Sequence, residues 1–355
     1  MRSKTLKKHV ITFAKLAVPA FIILWLLMAI DRDQLGQLVE RPKDGLRLGI
    51  AFALVFFAVG VTFVRWHLLV RALDLTFRLR DAFRLGFLGF LLNFVSVGAV
   101  GGDLFKAFFI AREQPGRRTE AVATVVVDRI IGLFGLLLAT SVAILLSDLS
   151  ASPTIVRTIC RMTFIATGMG FVGMLAMLWP GFTQGRFAEF LAGIPRVGKV
   201  LERIFSAIGM YRGRPLVMVT VFAMSMAVHG LLAVAVFLIA TALFERTPTL
   251  AEHFLVVPLS NVAGALPFTP AGLGSFEFAM DQLYQHVPRN GPQDVVGILV
   301  ALVYRLFTIA ITAVGVVYYW ACRREIRQVM DEAERAQHDE EREPDGAATY
   351  AAAVD

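Results

Sequence analysis

Residues 93–112 read NFVSVGAVGGDLFKAFFIAR, and this stretch decides how the rest of the chain can be arranged. Glycines interrupt it at three positions, Asp103 and Lys106 add two charges, and the segments around it are apolar enough to cross a bilayer. At membrane depth, non-helical backbone is tolerated only inside protein or along a watery cavity, and ionisable residues there indicate function. The stretch predicts a broken, re-entrant hairpin, and the alternative is a kinked helix that packs through small residues.

The composition predicts a helical protein that crosses the membrane several times. Of the 355 residues, 57% are hydrophobic and only 18% are charged, whereas soluble domains average about 25% charged residues. The net charge of +7 divides unevenly, because residues 323–355 hold five arginines and ten acidic residues, which leaves −5 there and +12 elsewhere. A basic body of this kind indicates loops that face anionic lipid, and we expect no nucleic-acid partner.

Six apolar runs are predicted to span the membrane: 10–30, 46–70, 121–147, 155–179, 215–243 and 293–320. The first could instead be a signal peptide, but it is longer than a ~7–15-residue apolar core and lacks a small-residue cleavage site.

Residues 1–320 form one predicted membrane domain. The segment 321–355 is predicted to be a cytoplasmic tail whose acidic, alanine-rich end we expect to be disordered. Near the end of the second span, Arg65 and Trp66 suit an anchor at the membrane interface.

Two broken segments give the predicted spans an internal symmetry. The first, 82–112, has basic residues at both ends, so both ends should be cytoplasmic. The second, 249–288, is rich in proline and glycine, and its flanks show no basic excess, so it should enter from outside. The halves 10–147 and 155–320 then form an inverted repeat, an arrangement typical of transporters, with both termini in the cytoplasm.

Two arginines lie deep in predicted spans. Arg129 is roughly 12 Å inside its span, Arg305 is similarly deep, and each costs about 2.5–3.5 kcal/mol at the bilayer centre. One interpretation is that Arg129 pairs with Asp103 or Asp128, and Arg305 with Glu277, to hold the fold together. The other is that the guanidinium groups form a midplane site for an anionic head group, which arginine meets with two parallel hydrogen bonds. Both remain open at this point.

The glycines near these charges suggest a further contribution. Half-helices that begin after Gly101-Gly102 and after Gly272-Leu273-Gly274 would direct free backbone N–H groups at the same site. Asn93 and Asn261 open the two glycine-containing stretches at corresponding positions.

The sequence predicts neither a metal site nor a cofactor. The six histidines are scattered and form no metal-binding pattern. The GxGxxG match at 168–173 lies inside a predicted span with no preceding strand, which favours helix packing over nucleotide binding.

Four stretches resemble a known family: 93–113, AVATVVVDRIIGL at 121–133, PAGLGSFE at 270–277 and ALVYRLF at 301–307. They are similar to the lysylphosphatidylglycerol synthase transmembrane region, or flippase-like family, the membrane module of the multiple peptide resistance factor. The resemblance implies a bacterial or archaeal plasma-membrane protein that moves, or helps to move, a lipid between leaflets. Together with the residue patterns above, it gives these candidate substrate-binding residues: Asn93, Gly101, Gly102, Asp103, Lys106, Asp128, Arg129, Asn261, Gly272, Gly274, Glu277 and Arg305.

We expect a flippase-like transporter of a phospholipid or a polyprenyl-phosphate-linked lipid, and not an enzyme. Only 35 residues follow Trp320, too few for the soluble aminoacyl-transferase domain of the resistance factor. One alternative is a non-transporting partner that presents lipid to a separate glycosyl- or aminoacyl-transferase. Another is a membrane enzyme that uses carboxylates as acid or base, although no nucleophile–base pattern supports it. The oligomeric state is left open.

Overall fold

The computed structural model describes residues 43–95, 101–146, 154–178, 209–265, 272–287 and 296–342. Within them it has nine helices and no strand, which confirms the all-helical prediction. In chain order they are α1 Gly45–Ala72, α2 Leu79–Val95, α3 Gly101–Glu113, α4 Arg118–Leu146, α5 Thr154–Leu178, α6 Pro215–Leu243, α7 Leu250–Ala265, α8 Ser275–His286 and α9 Gly297–Arg342.

In the described part of the chain, four helices are long and apolar enough to cross a membrane: α1, α4, α6 and the first 24 residues of α9. They coincide with the second, third, fifth and sixth predicted spans. Helix α5 coincides with the fourth, 155–179, but is not one of these four. The predicted first span, 10–30, lies outside the described residues.

Helices α2 and α3 form a short antiparallel pair, which we call the first hairpin. They have 17 and 13 residues, or roughly 20–25 Å at about 1.5 Å per residue, less than the ~30 Å hydrocarbon core of a bilayer. At its outer end, where α2 begins and α3 ends, Arg84 Nη2 lies 3.6 Å from Glu113 Oε1. At its inner end, where α2 ends and α3 begins, Gly102 N donates to Asn93 Oδ1 over 2.8 Å. Both outer ends of the pair therefore lie at the same end of the bundle.

Helices α7 and α8 form the second hairpin in the same way, with 16 and 12 residues. The Tyr284 hydroxyl lies 2.7 Å from His253 Nε2 near the outer end. The other ring nitrogen of His253 lies 2.9 Å from the Thr249 carbonyl. Because a carbonyl only accepts, Nδ1 carries the proton and the Tyr284 hydroxyl donates to Nε2. This hydrogen bond ties the two arms together inside the protein.

Glycine lets the arms of each hairpin approach closely at the inner end. A Cβ on Gly102 would lie 2.0 Å from the Gly89 carbonyl oxygen. In the second hairpin, Gly272 has φ +67°, and a Cβ there would lie 2.2 Å from the Gly264 carbonyl oxygen. Any larger residue at these positions must push the arms apart.

The long helices pack around these hairpins. Helix α1 packs extensively against α6, and this is the largest contact between two of the described helices. Helix α4 packs against α3, α6 and α7, while α9 packs against α2 and α8. Asp281 of α8 accepts a hydrogen bond from the Ile298 backbone N–H over 3.1 Å, which caps the first turn of α9.

Helix α9 continues to Arg342, into the segment that we expected to be disordered. Residues 331–342 are rich in Glu, Ala, Arg and Gln, which are strong helix formers, and they follow a helix that is already nucleated. Residues 343–355 lie outside the described residues.

We predict that Gly102→Ala lowers the melting temperature of the detergent-solubilised protein, because overpacking against backbone costs about 1–3 kcal/mol or more. Gly173→Ala is the matched control, since a Cβ there meets nothing within 4 Å and alanine is the better helix former. Equal melting temperatures for wild type and Gly102→Ala would contradict the close packing of the first hairpin.

Candidate functional site

A cavity of about 550 Å³ lies between the inner ends of the two hairpins and is also lined by α1, α4, α6 and α9. Seven predicted site residues line it: Asn93, Asp103, Lys106, Asp128, Arg129, Asn261 and Arg305. The other five, Gly101, Gly102, Gly272, Gly274 and Glu277, are not among its lining residues. The structure thus brings together residues that are up to 212 positions apart, Asn93 and Arg305.

Arg129 of α4 pairs with Asp103 of α3. Asp103 was one of the two partners predicted for it, and Asp128 was the other. Arg129 Nε donates to Asp103 Oδ2. The other carboxylate oxygen of Asp103 lies 3.6 Å from Lys106 Nζ, one turn further along α3. Lys106 in turn lies over the Trp66 ring, 5.5 Å from its centroid. The Asp103 carboxylate is therefore shared by two cations, Lys106 and Arg129. The Arg129 side chain is 50% exposed.

Asp128 pairs with Arg65 of α1 and not with Arg129. Arg65 Nε donates to Asp128 Oδ1 over 2.8 Å, and Arg65 Nη1 donates to Ser225 Oγ of α6 over 3.1 Å. The side chain of Arg65 is only 7% exposed and lines the cavity. The prediction that Arg65 anchors the chain at the membrane interface is wrong. Its position about two turns before the end of α1 suited an anchor, but Asp128 and Ser225 hold it inside the bundle.

In the second half, Arg305 of α9 pairs with Glu277 of α8, as predicted. Arg305 Nε donates to Glu277 Oε1 over 2.6 Å, and its guanidinium carbon lies 5.2 Å from the centroid of the Phe276 ring. Arg305 Nη2 lies 3.4 Å from the Gly272 carbonyl oxygen. The side chains of Arg305 and Glu277 are 11% and 0% exposed. This pair is sealed inside protein, whereas Arg129 at the corresponding position is half exposed.

One backbone N–H group near the inner end of each hairpin is already bonded within that hairpin. The Gly102 N–H donates to Asn93, as described above, and the Gly274 N–H donates to Glu277 Oε2 over 2.7 Å. These two N–H groups are therefore not free for a ligand, and for the other N–H groups of the two half-helices the hypothesis stays a prediction. These glycines serve the close packing of the hairpin arms, and the ligand-facing polarity comes from side chains.

Sequence reasoning missed Arg65 and His229, which line the cavity, and Ser225, which holds Arg65 in place. His229 of α6 lies with Nε2 3.0 Å from the Gly132 carbonyl oxygen, so Nε2 donates and Nδ1 is the acceptor. Within the described part of the chain, Nδ1 is buried and has no hydrogen-bond partner. A serine and a histidine in an apolar run carry no pattern that points to a site. Only Arg65 could have been found from the sequence. It is a charge within a predicted span, and the sequence left the partner of Asp128, a carboxylate in another span, undecided.

A family model described as the lysylphosphatidylglycerol synthase TM region matches residues 12–315. The chain belongs to this family. No curated protein matches the chain. The family and the four long apolar helices together make this a multi-pass helical membrane protein, and the resemblance noted in the sequence is confirmed.

The charged side chains of this family member's cavity are all engaged with one another. Asp103 bonds to Arg129 and Lys106, Asp128 bonds to Arg65, and Arg305, which lines the cavity, bonds to Glu277 behind it. Among the described residues, no group of three His, Cys, Asp or Glu side chains could hold a metal ion. The arrangement suits electrostatic binding of a polar group within an apolar bundle.

We predict that Arg305→Gln destabilises the protein more than Arg129→Gln does. Removing Arg305 leaves the fully buried Glu277 unpaired, at about 3–5 kcal/mol, and the double variant Arg305→Gln/Glu277→Gln should recover most of that loss. Removing Arg129 leaves Asp103 with Lys106. Thermal unfolding of the purified variants in detergent measures the difference, and equal losses at the two pairs would contradict the sealed geometry of the second.

Proposed function

We propose that this chain is a flippase-like transporter that carries the head group of a phospholipid or a polyprenyl-phosphate-linked lipid between leaflets through the cavity. The observation that carries the proposal is a charged cavity of about 550 Å³ between two hairpins of an apolar helical bundle. Ionisable residues at such depth are costly and mark ligand pathways in membrane proteins. Sites of this kind lie between structural repeats in transporters, at the ends of discontinuous helices.

Corresponding contacts in the two halves support an inverted repeat with two re-entrant hairpins. Helix α3 packs on α4 as α8 packs on α9, and α4 packs on α7 as α9 packs on α2. The second arm of each hairpin carries a carboxylate that pairs with an arginine of the next described helix in its half. Each hairpin is too short to cross a bilayer, and its outer ends lie together. In the proposed repeats, 10–147 and 155–320, helices α1–α4 of the first correspond to α6–α9 of the second, around the α1–α6 contact.

The basic residues support an orientation in which the first hairpin enters from the cytoplasm. The bundle end where α1 ends and α2 and α4 begin carries Arg71, Arg78, Arg80, Arg84, Arg112, Arg117, Arg118, Arg212 and Arg214. The opposite end carries fewer basic residues, Lys43, Arg47, Arg157, Arg161 and Arg246, beside acidic residues. Cytoplasmic loops hold the excess of Lys and Arg. We propose the plasma membrane of a bacterium or archaeon, with both termini in the cytoplasm.

The exposure of α4 supports sideways access to the cavity. Arg129 and Leu133 are one turn apart, both line the cavity, and both are about half exposed, at 50% for the Arg129 side chain and 55% for Leu133. A head group could enter beside them while its acyl chains stay in the bilayer. The sealed Glu277–Arg305 pair closes the other side of the cavity.

We also propose that the chain is not itself an enzyme. Asp103, Asp128 and Glu277 are each engaged by an arginine in an ion pair, so none of them stands free beside the cavity to act on a substrate. A partner that only presents lipid to a separate transferase would also need a head-group site, so movement of lipid is the property that separates these two functions.

We predict that the purified protein alone moves fluorescent lipid between the leaflets of reconstituted vesicles. Arg129→Lys and Arg305→Lys should keep the fold but slow this movement at least about tenfold, because lysine offers a point charge in place of a planar fork. Arg118→Lys, on the exposed basic end, is the matched control. Lipid binding without movement by the wild type would favour the presenting partner.

The proposed orientation predicts opposite labelling of Gly116→Cys and His286→Cys in a background that lacks Cys160 and Cys322. Both residues are exposed, and they lie at opposite ends of the bundle. In intact cells an impermeant thiol reagent should label the second and spare the first. Equal labelling of both from one side would rule out the inverted repeat.

A further inference from the structure

Lys106 is a cavity residue whose charge can change without breaking a direct hydrogen bond to its carboxylate. Its Nζ lies 3.6 Å from Asp103 Oδ1, beyond the usual hydrogen-bond distance of about 2.7–3.2 Å. Arg129 bonds directly to the other oxygen of the same carboxylate. Arginine keeps its proton in proteins, but a buried lysine can lose it, because a medium of low dielectric constant disfavours the ammonium form.

The charged groups that act on Lys106 come from three helices of the first half: Arg65 of α1, Asp103 of α3, and Asp128 and Arg129 of α4. Burial and the two guanidinium groups oppose the ammonium form of the lysine, and the two carboxylates favour it. The protonation of Lys106 therefore depends on how closely a carboxylate approaches its amine.

The amine is held in place at the wall of the cavity. Its stem packs against Gly89 of α2, where a Cβ would lie 2.7 Å from Lys106 Cε. Its Nζ lies over the Trp66 ring, 5.5 Å from the centroid, and Trp66 Nε1 donates to Thr124 Oγ1 over 3.2 Å. The Lys106 side chain is 17% exposed and lines the cavity, so a proton can reach it from there.

Asp103 connects the protonation of Lys106 to the state of Arg129, because both cations share its carboxylate. A head-group phosphate that binds Arg129 competes with Asp103 for the guanidinium. As Asp103 leaves Arg129, its carboxylate can move closer to Lys106 and favour the ammonium form. The head group and the proton would then each raise the affinity for the other, since coupling between two binding sites is reciprocal.

We propose that Lys106 is a proton-binding site and that this protein carries a proton together with its lipid. The inference rests on the proposed function and adds the ion that travels with the substrate. When the lipid binds, the lone pair of the neutral Nζ forms an N–H bond to a proton from the aqueous phase. When the lipid leaves, that bond breaks and the proton returns to water on the other side. A pH difference across the membrane thus supplies energy for lipid movement.

The direct test measures protons on the full-length protein in weakly buffered detergent solution. Phosphatidylglycerol is the added lipid, because its phosphate diester stays ionised throughout the range in which a lysine titrates. A pH-sensitive dye should report the uptake of up to about one proton for each lipid bound. Lipid binding without proton uptake at any pH would overturn this proposal and leave the proposed function intact. Absence of lipid binding would overturn both.

The affinity for phosphatidylglycerol should also depend on pH with a definite sign. Because the lipid binds better to the protein with a protonated amine, binding should be tightest at low pH. As the pH rises through the pKa of Lys106 in the lipid-free protein, the Kd should rise about tenfold per pH unit. The Kd should level off at high pH, where the amine is neutral with and without lipid.

Variants of Lys106 should reproduce the two limits of this curve. Lys106→Arg stays charged, so it should bind tightly at every pH without proton uptake. Lys106→Met keeps an apolar stem over Trp66, so it should bind weakly at every pH. Lys43→Met changes an exposed lysine outside the cavity and should keep the wild-type dependence.

Melting temperatures identify a variant that fails to fold, and the uptake measurement on the wild type needs no variant. A wild-type pH dependence in folded Lys106→Met would place the proton on another group and contradict the assignment to Lys106.

Reconstituted vesicles test whether the proton moves with the lipid. Under an imposed pH gradient, the wild type should enrich fluorescent phosphatidylglycerol in the leaflet on the alkaline side, and Lys106→Arg should lose this bias. Movement of lipid by the wild type that ignores the gradient would rule out proton coupling while the flippase proposal stands.

Discussion

The structure depends on how charged groups are balanced inside an apolar helical bundle. Among the described residues, each carboxylate near the cavity bonds to a cation on another helix: Asp128 to Arg65, Asp103 to Arg129, and Glu277 to Arg305. With no water at membrane depth, an unpaired ionised group is costly, so these contacts fix how closely and in which register the helices pack. The ion pairs therefore join α1, α3 and α4 in one half and α8 and α9 in the other.

The hairpins can carry these charges inward only because their arms close tightly. In both, a backbone carbonyl lies where the side chain of a larger residue would have to be, at Gly102 and at Gly272. In both, the first polar N–H of the inner end is satisfied within the hairpin, by Asn93 and by Glu277. These two backbone groups therefore need no ligand, and the described side chains supply polarity to the cavity between the hairpins.

Both halves contain an arginine–carboxylate pair, but the surroundings of the two pairs differ, so one side of the cavity is more exposed than the other. Around Arg305, protein covers both partners and the charges cancel. Around Arg129, the guanidinium is half exposed. Among the described residues, the side of the cavity at Arg129 is therefore more accessible than the side at Arg305. The proposed inverted repeat would permit the two surroundings to be exchanged, which is the basis of alternating access in transporters.

The sequence alone determined the class of the protein and most members of the site. Long apolar runs leave no other fold, and charges such as Asp103, Arg129 and Arg305 are too costly at that depth to be incidental. Only the tertiary structure decided the partners, since Asp128 could have paired with Arg129 but bonds to Arg65 across 63 residues. It also decided what the glycines do, because a sequence cannot distinguish close approach to a ligand from close approach to a neighbouring arm. Both decisions depend on distances between helices, and these are set by the packing of the whole bundle.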